Sequence, residues 1–235
     1  MADSLSSLAR EVTTCTRCPR LVEWRERSAA EPPRRHRGER YWARPLPGFG
    51  DPRARIVIVG LAPAAHGGNR TGRIFTGDRS GDWLFAALHR AALANQATSV
   101  SADDGLRLRG AYVTAVNRCP PPQNRPTTEE RDNCLPYLVR ELQLLRSARV
   151  IVALGSFAWI GALLALAEIG GELPRPRPRF GHGAEATLVT ARGGRRRGWT
   201  LLGCFHPSQQ NTFTGKLTEP MLDAVFGRAR ELARD

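Results

Sequence analysis

The sequence has no apolar run as long as the roughly 18 residues that a membrane-spanning helix needs. Its N-terminal stretch also lacks the apolar core of a secretory signal, so we expect a cytosolic protein without a membrane partner. Acidic residues are in the minority, with 22 Asp and Glu against 35 Lys and Arg and a formal net charge of +13. This charge predicts a polyanionic partner, nucleic acid above all, although a genome biased toward Arg, Pro and Ala would produce the same excess.

No internal repeat is present, and 235 residues with 41% hydrophobic content are enough to bury the core of one domain, which we assign to residues 1–235. Hydrophobic periodicity and chain breakers alternate between strands and helices, which is the order of an α/β fold. The predicted strands lie near 55–60, 111–116, 149–154 and 200–204, and the predicted helices near 82–95, 128–147, 156–169 and 219–233. Thr127 and Glu130 have the spacing of a capping box.

Two stretches rich in Pro, Arg and Gly interrupt the alternation, at 31–51 and 170–197. Both are predicted to be surface loops, and residues 185–190 within the second are a candidate edge strand. Their arginines, including the run 195–197, either contact phosphates or form a solvated surface.

Three loops that follow predicted strands have the composition of a binding site. The loop 61–78 is long and rich in glycine, the loop 117–126 is stiffened by prolines, and the loop 206–216 is polar. An ordinary connection is the alternative for 206–216, but such connections are shorter. Because ligands of parallel α/β sheets bind beyond the carboxyl ends of the strands, these loops predict the active site.

The chain has five cysteines, and the reducing cytosol argues against disulfides among them. Cys15 and Cys18 form a C-x-x-C pair, Cys119 follows a strand, and Cys134 lies in the next helix. Four thiolates can bind zinc or an iron–sulfur cluster, and unrelated buried cysteines are the alternative. Cys204 ends an apolar strand, which favours a buried core thiol.

Three motifs carry a resemblance to a known family: Gly60–Asp78, Val116–Pro121 and His206–Asn211. With them the sequence resembles the uracil-DNA glycosylase superfamily, and in particular its iron–sulfur branch, called family five or type B (UDGB). The resemblance covers most of the chain. It implies a three-layer α/β/α sandwich with a central, mostly parallel four-stranded sheet, and a monofunctional DNA glycosylase of base excision repair that hydrolytically removes uracil.

The resemblance also implies a cofactor, a four-iron, four-sulfur (4Fe-4S) cluster. Its ligands would be Cys15, Cys18, Cys119 and Cys134, so that the cluster fastens the N-terminal segment of about 1–50 to the base-reading loop. A structural rather than a redox role is expected. The implied partner is double-stranded DNA with damaged bases, with single-stranded DNA as a further substrate form. We expect a monomer in the cytoplasm, associated with the nucleoid.

A glycosylase must extrude the target base into a pocket. By the family match, Phe75 stacks on that base, with a plain core role as the alternative, and Asn117 pairs with the pyrimidine edge. His206 is expected to donate a hydrogen bond to a base oxygen as charge develops on the leaving group, with a structural role in its loop as the alternative. His66 is expected to orient the site or touch phosphate.

The sequence departs from many uracil glycosylases in its first motif, where Leu61 and Ala62 stand in place of a water-activating acid. Asp78 is the nearest carboxylate, and we assign to it the positioning of water or the stabilisation of an oxocarbenium-like sugar. Turn duty beside a glycine is the competing interpretation for Asp78. Asn69 is the fallback if Asp78 is not the catalytic carboxylate.

Small residues predict a broad substrate range. Ala62 and Ala64 belong to the predicted base pocket, and Ala64 with Ala65 leaves room where glycosylases strict for uracil tend to use a bulky side chain. We therefore expect removal of hypoxanthine, xanthine and ethenocytosine as well. The expected DNA-contacting residues all lie in the third loop: Ser208, Gln209, Asn211 and Lys216.

Two other functional classes compete with this interpretation. A non-enzymatic nucleic-acid-binding protein with a structural zinc site would explain the charge and the cysteines, but not three convergent polar loops. A thiol hydrolase using Cys204 with His206 is disfavoured because Cys204 ends an apolar strand and is therefore expected to be a buried core thiol.

Overall fold

The structure is a computed structural model that describes residues 3–192 and 195–234. Its helices are α1 (Leu5–Thr13), α2 (Pro19–Ala30), α3 (Gly68–Thr71), α4 (Arg79–Arg90), α5 (Thr128–Leu144), α6 (Ser156–Glu168), α7 (Gln209–Phe213) and α8 (Glu219–Leu232). Its strands are β1 (Phe49–Gly50), β2 (Ile56–Gly60), β3 (Ala111–Ala115), β4 (Val150–Leu154), β5 (Glu185–Arg192) and β6 (Arg195–Cys204). Short 3₁₀ turns lie at Arg34–His36 and Pro122–Asn124.

The strands form one sheet in the order β1-β3-β2-β4-β6-β5. The central four strands are parallel, and they are the four strands that the sequence predicts. The expected sheet of four strands is too small, since β1 and β5 add antiparallel edges and bring the number within the described residues to six. The candidate edge strand at 185–190 is confirmed as β5, so the prediction of a loop through 197 is wrong there.

Alternating side chains of the strands bury both faces of the sheet. Ile56 and Ile58 face the layer that contains α4 and α8, while Val57 and Val59 face the layer that contains α5 and α6. Each face is a continuous apolar cluster, which confirms the three-layer α/β/α sandwich. Outside these layers, α1 packs on α5, a contact that the sequence does not predict. No helix in the described ranges has the length and apolar character to cross a membrane.

Local signals at α5 explain how it begins and ends. The predicted capping box is confirmed: Thr127 Oγ1 accepts from the Glu130 amide at 3.1 Å, and the Thr127 amide donates to Glu130 Oε2 at 2.8 Å. At the other end, Arg197 donates to the Leu142 carbonyl at 3.2 Å and, with Nε, to the Ala148 carbonyl at 2.9 Å. This arginine of the basic run is therefore a helix-end cap and not a free phosphate contact.

Candidate functional site

The three predicted loops meet beyond the carboxyl ends of β2, β3 and β6, where they surround a cleft of about 1230 Å³. Of the predicted site residues, the cleft is lined by Ala62, Ala64, His66, Phe75, Asp78, His206, Ser208 and Gln209. Asn69, Asn117, Asn211 and Lys216 do not line it. The cleft is therefore the site that the three loops predict, but it brings together only part of the predicted set.

Arg70 holds the loop 61–78 in shape. Its Nε donates to the His66 carbonyl at 2.9 Å, and one terminal nitrogen donates to the Gly77 carbonyl at 3.0 Å. The other terminal nitrogen donates to Glu39 Oε2 at 2.6 Å. One guanidinium thus ties the middle of the loop, its end beside Asp78 and the N-terminal segment together.

Asp78 combines a structural position with a place on the cleft. It is the N-cap of α4, and its Oδ1 accepts from the Gly81 amide at 3.0 Å. Its Oδ2 lies against the Cα of Gly67, where any Cβ would collide with it. Burial raises the pKa of Asp78, and hydrogen bonds from the backbone of Gly81 and Ser80 oppose that rise. The competing turn role is thus part of the observed geometry.

Phe75 and His206 face each other across the root of the cleft, with ring centroids 5.9 Å apart and planes inclined by 32°. Phe75 has a left-handed backbone (φ 53°), and its ring lies on Gly60, where a Cβ would come within 2.6 Å of it. Burial lowers the pKa of His206 to about 4, so the imidazole is neutral near pH 7. In the described part of the chain its ring nitrogens have no protein hydrogen-bond partner, which leaves an N–H free for a ligand.

Asn117 and Asn69 lie beneath the loops. The Asn117 Nδ2 donates to the Glu130 carbonyl at 3.0 Å, and the Asn69 Nδ2 donates to the Arg25 carbonyl at 3.1 Å. Both side chains are fully buried, and neither Oδ1 has a partner within the described residues. These amides brace the loops and do not reach the cleft wall.

The structure instead brings Gln123 and Asn124 to the cleft. Both have left-handed backbones, with φ of 55° and 56°. Two successive residues of this kind are uncommon outside glycine, although Asn tolerates the conformation well. The loop 117–126 contains two asparagines: the structure buries Asn117, the predicted base reader, and places Asn124 in the cleft lining.

A second wall of the cleft comes from the N-terminal segment and was missed. Trp24, Arg35 and His36 line the cleft. His66 lies beside them: its ring is stacked on His36 with centroids 6.4 Å apart, and its Nδ1 is 3.0 Å from the Tyr41 hydroxyl. Burial, followed by the nearby cationic groups, lowers the pKa of His66 and favours its neutral form. No periodic signal marks Arg35 and His36, because the chain in 31–51 is mostly irregular, and Trp24 comes from the helix α2.

The third loop is fixed at its root and open at its tip. Ser208 caps α7 by accepting from the Asn211 amide at 3.4 Å, and Asn211 Nδ2 donates to the His206 carbonyl at 2.8 Å. Lys216 is exposed and lies over the Phe205 ring at 5.0 Å. Phe213 is 67% exposed, with the Arg79 guanidinium 4.5 Å from its ring centre.

Four cysteines lie in one region behind the cleft. Arg25 donates to Cys119 Sγ at 3.3 Å, Asn133 Nδ2 donates to Cys18 Sγ at 3.6 Å, and Tyr137 and the Arg118 amide contact Cys15 and Cys134. Burial raises the pKa of Cys119 to about 12 and that of Cys134 to about 11. Within residues 3–192 and 195–234, no three His, Cys, Asp or Glu side chains are arranged to hold a single metal ion.

Cys204 stands apart from these four. It is fully buried, its Sγ donates to the Phe205 carbonyl at 3.2 Å, and burial raises its pKa to about 12. It does not line the cleft. A neutral, enclosed thiol is the core residue that the sequence predicts.

A mainly parallel α/β sheet with a cleft beyond its strand ends is the architecture of many α/β enzymes, and the net charge of +13 favours a polyanionic substrate for this class. Comparison with known families narrows this class. The model of the uracil DNA glycosylase superfamily matches residues 47–230, and the chain belongs to that superfamily.

Individual relatives agree with the family. The chain is 52% identical to the type-5 uracil-DNA glycosylase of Mycobacterium tuberculosis over 233 residues, which are 99% of this chain and 83% of that protein. It is 49% identical to the type-5 uracil-DNA glycosylase of Thermus thermophilus over 227 residues, 97% of each chain. Similarity to the type-4 uracil-DNA glycosylase of Archaeoglobus fulgidus is lower, 33% over 157 residues and 66% of this chain.

Proposed function

We propose that this protein is a DNA-repair glycosylase that hydrolyses the bond between uracil and deoxyribose in DNA. The observation that carries the proposal is the meeting of Phe75, Asp78 and His206 in one cleft of a chain that is 49–52% identical, nearly end to end, to type-5 uracil-DNA glycosylases. Double-stranded DNA is the main substrate form, single-stranded DNA is a second one, and the protein acts as a monomer in the cytoplasm.

The flipped base is held at Phe75. Extruding a base costs a few kcal/mol, and stacking on an aromatic ring returns on the order of 1–3 kcal/mol. The Phe75 ring suits this task because Gly60 and its left-handed backbone fix its plane at the cleft floor. A ring held in this way stacks on the base without losing rotamer freedom.

His206 stabilises the leaving base. Negative charge accumulates on the base oxygen as the N-glycosidic bond breaks, and an N–H aimed at that oxygen lowers the barrier. The neutral imidazole carries one such N–H and has no competing protein partner in the described residues. Asn211 keeps the backbone of this loop in place through the His206 carbonyl.

Asp78 acts on the other side of the breaking bond. Its carboxylate sits at the N-terminus of α4, which stabilises the anion, and it borders the cleft. There it stabilises the cationic sugar or orients the attacking water. Leu61 and Ala62, which also line the cleft, supply no competing carboxylate.

Reading of the base falls to Asn124. An amide offers a donor and an acceptor to the pyrimidine edge, and Asn124 borders the cleft. Asn117 has its Nδ2 committed to the Glu130 carbonyl, so its part is to hold the loop from below.

The substrate range extends beyond uracil to hypoxanthine, xanthine and ethenocytosine. Ala62, Ala64 and Ala65 border the cleft, and their methyl groups leave space for a base larger than a pyrimidine. His66 orients this wall through its contact with Tyr41.

The four cysteines hold a 4Fe-4S cluster. Donors lie against all four sulfurs, as thiolates require, and such a group would deprotonate the two buried thiols. When bound, the cluster would tie the segment between α1 and α2, which carries Cys15 and Cys18, to α5, which carries Cys134. Iron and acid-labile sulfide content of the purified protein test this assignment.

Single-turnover release of bases tests the activity. Matched duplexes carry uracil or hypoxanthine, and strand breakage is scored only after alkali. Release of both supports a broad monofunctional glycosylase, and release of uracil alone refutes the extended range. Release of neither, by protein with intact metal content, supports a DNA-binding protein instead.

A further inference from the structure

An excursion of the chain between α4 and β3 forms a rigid platform at the rim of the cleft. Its ends are closed by the bridge between Ala94 and Leu108 and by Asn95, whose side chain bonds to the backbone of Gly105 and Arg107. This segment lies outside the three loops that surround the cleft.

Asp104 organises the tip of this platform. Its carboxylate accepts from the amides of Val100 at 2.8 Å, Ser101 at 3.3 Å and Leu106 at 3.0 Å, and from Arg73 at 2.7 Å. The Asp104–Arg73 pair is almost fully buried. Burial raises the pKa of Asp104, but the hydrogen bonds from Arg73 and the three amides outweigh it and lower the pKa to about 2. The backbone of the tip is therefore fixed by Asp104, whose negative charge is balanced by the buried Arg73.

The platform is bonded directly to the catalytic loop. The Ser99 carbonyl accepts from the Gly77 amide at 2.9 Å, one residue before Asp78. The Ser99 hydroxyl is 2.7 Å from Thr76 Oγ1 and accepts from Arg73 at 2.9 Å. These contacts fix the position of Ser99, and therefore of the residue that follows it, relative to Asp78.

The next residue is Val100, which lines the cleft and is 61% exposed. A single exposed valine is ordinary. This one is β-branched and stiff, and it follows Ser99, whose carbonyl is bonded to the Gly77 amide just before Asp78 and Arg79. The exposed Phe213 packs on Arg79 at the same rim. The surrounding cleft also contains three further arginines whose charges match a phosphate backbone: Arg35, Arg79 and Arg125.

We propose that Val100 is a DNA contact that packs on the base step beside the flipped nucleotide and keeps the emptied stack of the duplex open. This inference rests on the proposed glycosylase function and adds a residue from outside the three loops. Apolar side chains placed against a base step in this way unstack it and stabilise bent, opened DNA. A single strand has no continuous stack to hold open, so the contribution of Val100 belongs to duplex substrates.

Excision from duplex and from single-stranded uracil DNA separates this role from others. We expect Val100→Ser to lower kcat/KM about tenfold on duplex and less than about twofold on single strands, the loss of one buried valine contact. Val100→Ile should restore the duplex rate. Val189→Ser is the matched control, because Val189 is a 39% exposed valine on β5 that the cleft does not include.

Three outcomes overturn the inference: equal losses on both substrates, no loss on either, or an equal loss in Val189→Ser. If Val100→Ser caused no loss on either substrate, Val100 would face solvent or a protein partner and would not contact DNA. Wild-type protein that excises from neither substrate would instead overturn the proposed function, so the two failures are distinguishable. Fluorescence of 2-aminopurine beside uracil gives a second readout, since Val100→Ser should reduce the unstacking signal at saturating protein.

Discussion

The loops 61–78 and 206–216 both border the cleft, but they are built differently. In the first, Arg70 is bonded to two backbone carbonyls and to Glu39, and Asp78 caps α4. In the second, the root is braced by Asn211, while the tip exposes Phe213 and Lys216. The first loop is therefore held in place by many hydrogen bonds, whereas the tip of the second loop faces solvent.

This difference separates two tasks. Stabilising a charged transition state needs groups held within a fraction of an ångström, which a bonded loop supplies. Gripping DNA needs exposed groups that act through charge and area. We therefore expect changes in the first loop and at the root of the second to reduce the chemical step, and changes at the tip of the second to weaken binding.

The largest expected effect comes from Asp78→Asn and His206→Ala. Each should lower the single-turnover excision rate by about 10²–10³-fold with DNA affinity nearly unchanged, because each removes a group that acts only as charge develops. Asn is as good an N-cap as Asp, so Asp78→Asn keeps α4 capped and separates the catalytic from the structural role.

Thermal unfolding serves as the control for both variants. A full excision rate in Asp78→Asn would remove Asp78 from the chemistry and leave it as the cap of α4. A loss in DNA affinity as large as the loss in rate would contradict the division between residues that act in the chemical step and residues that bind DNA.

His206 also makes stability depend on pH. Its pKa is about 4 in the folded protein and about 6.5 when unfolded, so the unfolded chain takes up the proton first as the pH falls. This site therefore removes about 2 kcal/mol of stability between pH 7.5 and pH 5. Urea denaturation at both pH values measures it, and His206→Gln should lose that much less stability than the wild type. Equal pH dependence in the two proteins would mean that the imidazole is hydrated.

Arg70→Lys tests the rigidity of the first loop. Lysine keeps the charge but cannot bond to the His66 and Gly77 carbonyls and to Glu39 together. We expect the single-turnover rate to fall about tenfold while DNA affinity changes less than about twofold, since displaced groups react slowly. Arg90→Lys is the matched control, because Arg90 pairs with Asp223 on the surface. A loss confined to affinity would make Arg70 a phosphate contact.

The contrast between bonded and open regions also explains what the sequence could predict. The strands β2, β3 and β4 are short, mostly apolar runs buried along their whole length, and β6 ends in the buried apolar run 201–204, so the apolar pattern is sufficient to find the four parallel strands. The strand β1 has two residues and carries no periodicity. Composition likewise finds the three loops, because glycine and proline mark where the backbone must turn.

No pattern in the sequence indicates which way a side chain within a loop points. The sequence predicts Asn117 as the base reader and gives no signal for Asn124. Only the fold buries Asn117, whose Nδ2 bonds to the Glu130 carbonyl, and places Asn124 in the cleft lining. The wall formed by Trp24, Arg35 and His36 comes from a remote segment, brought to the cleft by tertiary contacts alone.

The smallest effect is expected at the tip of the second loop. Lys216 is exposed and held only by its contact with the Phe205 ring, so it acts as one mobile charge near the DNA backbone. Lys216→Ala should weaken duplex binding a few-fold, lower the slope of log K against log salt by about 1, and leave the rate at saturating protein unchanged. Fluorescence anisotropy across a salt series measures the slope. Lys216→Arg, which keeps the charge, should restore it. A reduced saturating rate with an unchanged slope would place Lys216 with the catalytic root of its loop and would break the division between a bonded loop for chemistry and an open tip for binding.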